Sequence, residues 1–330
     1  MSDQAKTGRR GLLAAGAALV LLAGGGWWWK GHQPTADISA QKLIVGDQRG
    51  GVQALLRAAG ELDHVPYKIE WALFPAASPL LEALNSGAID LGGIGGQPFA
   101  FAYASGAKIK VVYAARSATG KGTKASAIVV PANSTLQKLD DLKGKRLATI
   151  RGSAGHDLAL QLLESHGLKS GDVQWVYLNN AEAKAALAQG SVDAWSTWGP
   201  YVGYALLQDK QRALADATQL PAGAGFYAAN FKAIDSKRAQ IADFVQRLAR
   251  ARQWVAGHRE EYAKVLAKET GLPLDVARFT VGDSITEAVP VDDRLREEQL
   301  AILARYQRAG IINKLPDLSG AFDSSFPIKP

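Results

Sequence analysis

Ala83-Leu84-Asn85-Ser86-Gly87-Ala88-Ile89-Asp90 and Ala186-Leu187-Ala188-Gln189-Gly190-Ser191-Val192-Asp193 are two copies of one short pattern. Each reads as the end of a helix, a glycine that stops it, and a strand opened by a β-branched residue and Asp. The echo continues upstream in the same order. Lys42-Leu43-Ile44-Val45-Gly46 and Lys145-Arg146-Leu147-Ala148-Thr149-Ile150 are short strands, followed by helical patterns at about 52–62 and 154–166. Ile69-Glu70-Trp71 and Val173-Gln174-Trp175 each open a second strand. Leu84 lies 103 positions before Leu187, and Trp71 lies 104 before Trp175. Three ordered matches at this nearly constant offset imply two βαβαβ halves, each with a mainly parallel sheet flanked by helices.

The chain after 225 is helical, with apolar residues three or four apart in 236–258, 259–269, 274–281 and 293–309. Such segments complete the first half if the chain crosses back to it. Ala127–Pro131 and Gly225–Ala229 are the expected crossing strands, two hinge strands that let the halves close on a ligand. The expected division is lobe I over 42–130 and 226–330, and lobe II over 131–225, after a leader at 1–30 and a linker at 31–41.

Arg9-Arg10 precede an uncharged, largely apolar run to Trp29, the arrangement of an export signal, with Thr7–Leu13 close to the twin-arginine type. Trp27-Trp28-Trp29-Lys30 is also what a membrane–water interface favours. A span of 11–29 as helix measures about 28 Å, close to a hydrocarbon core. The segment therefore reads as a cleaved signal or as an uncleaved tether.

The 330 residues carry a formal charge of +7 and no cysteine. Cysteine's absence excludes disulfides, thiolate metal sites, a cysteine nucleophile and a lipoprotein anchor. The basic residues form no stripe of the kind that binds nucleic acid. No zinc spacing and no G-x-S-x-G elbow is present, and Gly93-x-Gly95 follows the third strand and lacks the third glycine of a dinucleotide fingerprint. Neither metal nor cofactor is expected.

Ligands of open α/β sheets collect beyond the carboxyl ends of the strands. Three loops occupy that position. Gln48-Arg49-Gly50-Gly51 and Arg151-Gly152-Ser153 each lead into a helix N-terminus, where free amides and the helix dipole favour an oxyanion. Gly95-Gly96-Gln97-Pro98 is the third, with the Gln97 amide as a donor. His156 stands in the first turn of its helix and is a further donor or a structural histidine. Trp195 and Trp198 lie where one of them can cover the apolar part of a small ligand, the alternative being that they fill the core. The expected ligand contacts are Gln48, Gly50, Gly51, Gly96, Gln97, Arg151, Gly152, Ser153, His156, Trp195 and Trp198. A bulky residue at Gly152 is expected to harm binding more than Arg151→Ala.

Glu70-Trp71-Ala72-Leu73-Phe74-Pro75-Ala76, Leu80–Asp90, Asp141-Leu142-Lys143-Gly144-Lys145-Arg146, Arg151-Gly152-Ser153 and Gly190–Trp195 together resemble the periplasmic aliphatic-sulfonate, taurine and nitrate binding proteins. Relatives of that family bind or synthesise thiamine precursors. The Phe74-Pro75-Ala76 segment is most similar to the alkanesulfonate branch. The resemblance implies a two-lobed type II binding-protein fold and a monomer without cofactor. It also implies a sulfonate-like organic anion in the closed cleft and an ABC permease in the inner membrane as partner. Family members often carry Gly-Glu before the proline matching Pro98, where this chain has Gly96-Gln97. Loss of that carboxylate weighs against an amine-bearing ligand such as taurine and towards a simple alkanesulfonate or an aromatic sulfonate. An enzyme on the same scaffold is the competing expectation.

Overall fold

The computed structural model describes residues 38–282 and 285–328. The chain up to Ala40 is a unit of its own, in which the 3-10 turn Ile38–Ala40 is described; the expected leader or tether at 11–29 lies outside the described residues. From Gln41 onward the chain forms a second unit. Its strands are β1 (Leu43–Gln48), β2 (Ile69–Phe74), β3 (Leu91–Gly95), β4 (Ile109–Ser117), β5 (Ser126–Val130), β6 (Arg146–Thr149), β7 (Gln174–Tyr177), β8 (Ala194–Trp198), β9 (Arg212–Asp216), β10 (Gly225–Asn230) and β11 (Thr286–Val289).

The duplicated octapeptide performs one role twice. Gly87 and Gly190 take left-handed conformations, φ 78° and 71°. That lets Ala88 N–H reach the Ala83 carbonyl at 2.9 Å and Ser191 N–H reach that of Ala186 at 2.8 Å, closing the preceding helix. The terminal Asp of each copy then clamps the start of the first strand. The Asp90 carboxylate accepts from Ile44 N–H at 2.7 Å, and that of Asp193 from Arg146 N–H at 2.8 Å. Each carboxylate also has a cation, Lys237 at 2.6 Å and the Arg146 side chain at 2.8 Å. Leu84 and Leu187, the matched leucines, are both buried.

The two sheets share one order. The first runs β2-β1-β3-β10-β4-β11 and the second β7-β6-β8-β5-β9. In each, the first strand pairs in parallel with the second and third. The strand that arrives from the other lobe, β10 or β5, runs antiparallel to both its neighbours. Both sheets are therefore mixed rather than mainly parallel, because the returning chain enters from the opposite end. Strand β5 alternates its apolar side chains between the two faces of the second sheet, Ile128 and Val130 to one core, Ala127 and Val129 to the other, so helices cover both faces.

Strand Ser126–Val130, expected in lobe I, pairs within the second sheet. The passages between sheets are thus 118–125 and 217–224, not the strands themselves. They are hydrogen-bonded to one another: Gly122 N–H to the Leu220 carbonyl and Ala222 N–H to that of Gly120, both 2.9 Å. Two adjacent extended segments joined by so few bonds are the arrangement of a hinge.

Candidate functional site

The helices that frame the cleft are α1 (Gly51–Ala58), α2 (Ala77–Ser86), α3 (Gly96–Ala104), α4 (Ala154–Ser165), α5 (Asn180–Ala188) and α6 (Pro200–Gly203). After the return come α7 (Phe231–Ser236), α8 (Arg238–Val255), α9 (Arg259–Thr270), α10 (Leu274–Gly282) and α11 (Asp293–Arg308). At the carboxyl ends of β1, β3, β6 and β8, a cavity of about 710 Å³ opens between the lobes. Gln48, Ser78 and Gly95 line it from the first lobe, and Arg151, Ser153 and Trp198 from the second. Leu81, Ile94 and Phe101 supply an apolar wall. A neighbouring cavity of about 470 Å³ shares Gln48, Ile94, Trp198 and Gly225 with it. Trp198 is the hub.

Both helix N-termini are capped from within, contrary to the expectation of free paired amides. The Asp47 carboxylate, 2% exposed, accepts from Val52 N–H at 3.0 Å and Gln53 N–H at 2.8 Å. Burial raises its pKa to about 6, against the lowering effect of those amides. At α4, Ser153 Oγ accepts from His156 N–H at 3.2 Å, and Gly152 N–H donates to His156 Nδ1 at 3.0 Å. Ser153 N–H donates to the Ile150 carbonyl at 3.2 Å. Ala154, which lines the larger cavity, has an amide without a hydrogen-bond partner among the described residues.

His156 is consequently not a cationic ligand. It is fully buried, its Nδ1 is an acceptor, and burial followed by the nearby Arg151 charge lowers its pKa to about 4. Its ring is boxed by Trp175, Tyr177 and Tyr306, with centroids 4.7, 5.4 and 5.2 Å away. Trp195 is also a correction. It is 1% exposed and sits in the second lobe's core with Val129, Leu187 and Val202, whereas Trp198 is partly exposed and faces the cleft. Side chains three apart on a strand point to opposite faces, so the pair could not serve one surface.

Gly96 is a packing position: a Cβ there would stand 2.7 Å from Gln299 Nε2 of α11. Gly50 is buried with φ 79° and lines neither cavity, while Gly51 borders the smaller one. Gln48 donates to the Gly93 carbonyl at 2.9 Å, which fixes its amide at the cavity wall. Gln97 instead reaches across the lobes to Asp157 at 3.0 Å. The exposed Arg151 lies over the Tyr177 ring at 5.7 Å and donates to the Ile311 carbonyl at 3.3 Å.

Gly152 is still expected to be the more sensitive position, for a different reason from the one first given. Its φ of 73° is left-handed, and a Cβ would meet Phe101 at 3.4 Å. Gly152→Val is expected to weaken ligand binding at least tenfold by displacing the α4 N-terminus, and Arg151→Ala by less than about threefold. Calorimetric titration of the two variants decides it; equal losses would mean the backbone shape there is immaterial.

Several cleft residues carry no local sequence signal. Asp157, 2% exposed, accepts from Gln97, Gln161 at 2.7 Å and Arg305 at 2.7 Å. Tyr306, wholly buried, packs edge-on against Phe101 at 4.9 Å and donates to the Ser153 carbonyl at 3.3 Å. Across the other flank Arg49 donates to the Tyr201 hydroxyl at 2.6 Å. The lobes are thus in contact on both sides of the cavity.

Residues 73–262 match the family described as "NMT1/THI5 like". An aliphatic sulfonates-binding protein of Escherichia coli (strain K12) is 38% identical over 244 residues, 73% of this chain and 75% of the relative. The crystal structure of the periplasmic aliphatic sulphonate binding protein SsuA from Escherichia coli superposes with a TM-score of 0.75 at 34% identity, covering 86% of this chain and 92% of that one. The alkanesulfonate-binding protein SsuA from Xanthomonas axonopodis pv. citri, bound to MOPS, gives 0.77 at 32% identity, covering 86% and 98%. The desulfurization enzyme DszB, 15% identical with a TM-score of 0.63, shares the fold. The chain belongs to the NMT1/THI5 like family and, within it, to the branch of the periplasmic aliphatic sulfonate-binding proteins.

Proposed function

We propose that this chain is the extracytoplasmic solute-binding protein of an ABC importer and that it captures a small aliphatic sulfonate between its lobes. The carrying observation is the cavity of about 710 Å³, whose polar groups come from both lobes and whose remaining wall is apolar. A clamp needs contacts from both sides, so that the ligand stabilises the closed form over the open one. Gln48, Arg151, Ser153 and the Ala154 amide supply donors at one end, and Trp198 with Phe101 supplies a surface for an alkyl chain. The likeness to two sulfonate-binding proteins supports the same ligand class.

The chain is read as a binding protein and not an enzyme. It has no cysteine, and the buried His156, with Nδ1 occupied and its pKa lowered to about 4, is no general base for a ligand in the cleft. Export to the periplasm, the choice between signal and tether at 11–29, the monomeric state and a permease partner belong to the same proposal. No helix among the described residues is long and apolar enough to cross a membrane.

Titration of the purified protein with C2 to C6 alkanesulfonates, taurine and nitrate tests this reading. Alkanesulfonates are expected to bind most tightly, and Trp198→Ala to weaken them by about 30-fold, the scale of losing an aromatic anchor. If no small anion binds, the transport reading is wrong. If Trp198→Ala leaves affinity unchanged, the cavity is not the ligand site.

A further inference from the structure

The smaller cavity, of about 470 Å³, is walled mainly by Val52, Leu55, Val255, Leu266 and Val281, yet polar groups stand in it. Arg252, from α8, lines it with its Nε buried and without a hydrogen-bond partner. The guanidinium is held by its Nη1, which donates to Thr286 Oγ1 at 2.6 Å, and by the Tyr113 ring 5.9 Å away. Tyr227, 2% exposed, lines the same cavity with its hydroxyl unpartnered. Behind it the Tyr113 hydroxyl, on a ring 6.0 Å from that of Tyr227, is likewise unpartnered. A buried donor left unsatisfied costs about 1–3 kcal/mol, so two such groups converging on one cavity call for an acceptor.

Arg252 Nε–H is a donor only, which excludes an ammonium group and favours an oxyanion. The carboxylate in this wall, Asp47, already has its oxygens on the Val52 and Gln53 amides and makes no hydrogen bond to Arg252. Tyr262, the remaining polar ring, spends its hydroxyl on the Gly51 carbonyl at 3.1 Å. Because Gln48, Ile94, Trp198 and Gly225 border both cavities, one extended ligand can pass beneath Trp198 with an end in each.

We propose that this cavity is a second polar subsite, in which Arg252 and Tyr227 bind the carboxylate of a two-headed ligand, an α,ω-sulfocarboxylate. The inference rests on the sulfonate reading above, which places the other head by Arg151 and Ser153. It narrows the substrate class from alkanesulfonates in general to those carrying a second acidic group on a short alkyl chain.

Isothermal titration of the full chain with 1-butanesulfonate, 4-sulfobutanoate and pentanoate tests it. The wild type is expected to bind 4-sulfobutanoate at least about tenfold more tightly than 1-butanesulfonate. Arg252→Gln should abolish that preference and Tyr227→Phe reduce it about fivefold, both leaving 1-butanesulfonate within about twofold. Tyr227→Phe removes a hydroxyl with no partner in the fold, so its unfolding midpoint should match the wild type and its result is not a folding defect. Equal affinity for the two sulfonates, or variants that weaken both alike, overturns the subsite while leaving the sulfonate reading intact. Binding of pentanoate but of neither sulfonate overturns the sulfonate reading, and the two-headed ligand with it.

Discussion

Tyr306→Ala is expected to lower the stability of the folded protein by about 3–5 kcal/mol, the range for removing a fully buried aromatic side chain. The ring is wholly buried although it stands on α11, late in the chain, and it joins three elements of both lobes. It packs edge-on against Phe101 of α3, lies 5.2 Å from His156 of α4, and donates to the Ser153 carbonyl. Its loss leaves a void where the lobes meet, one that neither rigid helix can fill by moving alone. Tyr306→Phe keeps the packing and loses one long hydrogen bond, so about 1 kcal/mol or less is expected. Urea unfolding of both variants measures this. A Tyr306→Ala protein within 1 kcal/mol of the wild type would show that α11 does not brace the lobes.

A second large effect concerns pH. His156 is neutral in the fold down to about pH 4, but takes a proton near its usual 6.5 when unfolded. It therefore favours unfolding increasingly as pH falls from 6.5 to 4. Asp47 is the reverse. Burial holds its folded pKa at about 6 against a usual 3.8, so its contribution to stability is present at low pH and is lost as pH rises through 6. Over nearly the same window the two oppose one another, each by about 3 kcal/mol.

Removing one should expose the other. Asp47→Asn keeps a side-chain oxygen to cap α1 and is expected to lose about 3 kcal/mol relative to the wild type between pH 6.5 and 4. His156→Gln is expected to gain a similar amount over that range, relative to the wild type, though its stability at pH 7 will be lower for lost packing. Denaturant unfolding at pH 4, 5 and 6.5 reads both. Differences from the wild type that stay constant with pH would mean that neither group is held in its unusual form.

Much of this architecture is legible in the sequence. The octapeptides ending at Asp90 and Asp193 encode one piece of local chemistry, a helix stopped by a left-handed glycine, and end in a carboxylate that clamps the start of its half's first strand, 46 or 47 positions earlier; the same bonds form in both copies. The helices after 225 were visible for the same reason, since an amphipathic period of 3.6 is written along the chain. The loops at Gln48–Gly51 and Arg151–Ser153 are legible as loops, but not the capping of the amides beside them. Glycines before a helix announce free amides; nothing local says that Asp47, or the ring of His156, turns back to occupy them.

The sequence by itself therefore determined the two halves and their alternation of strand and helix, because the same motifs recur in the same order about 103 positions apart, whereas the mixed strand order follows from where the chain recrosses between the sheets. Only the tertiary structure decided that Trp198 rather than Trp195 faces the cleft, that Gly96 is there for Gln299, and that Arg252, Tyr227 and Tyr306 return from late in the chain to meet Gln48 and Ser153. Such meetings depend on where the chain recrosses at 118–125 and 217–224, and no periodicity records which side chains a distant helix will bring. The charge state of Asp47 and His156 is likewise a product of burial, which is a property of the packed fold and not of either residue.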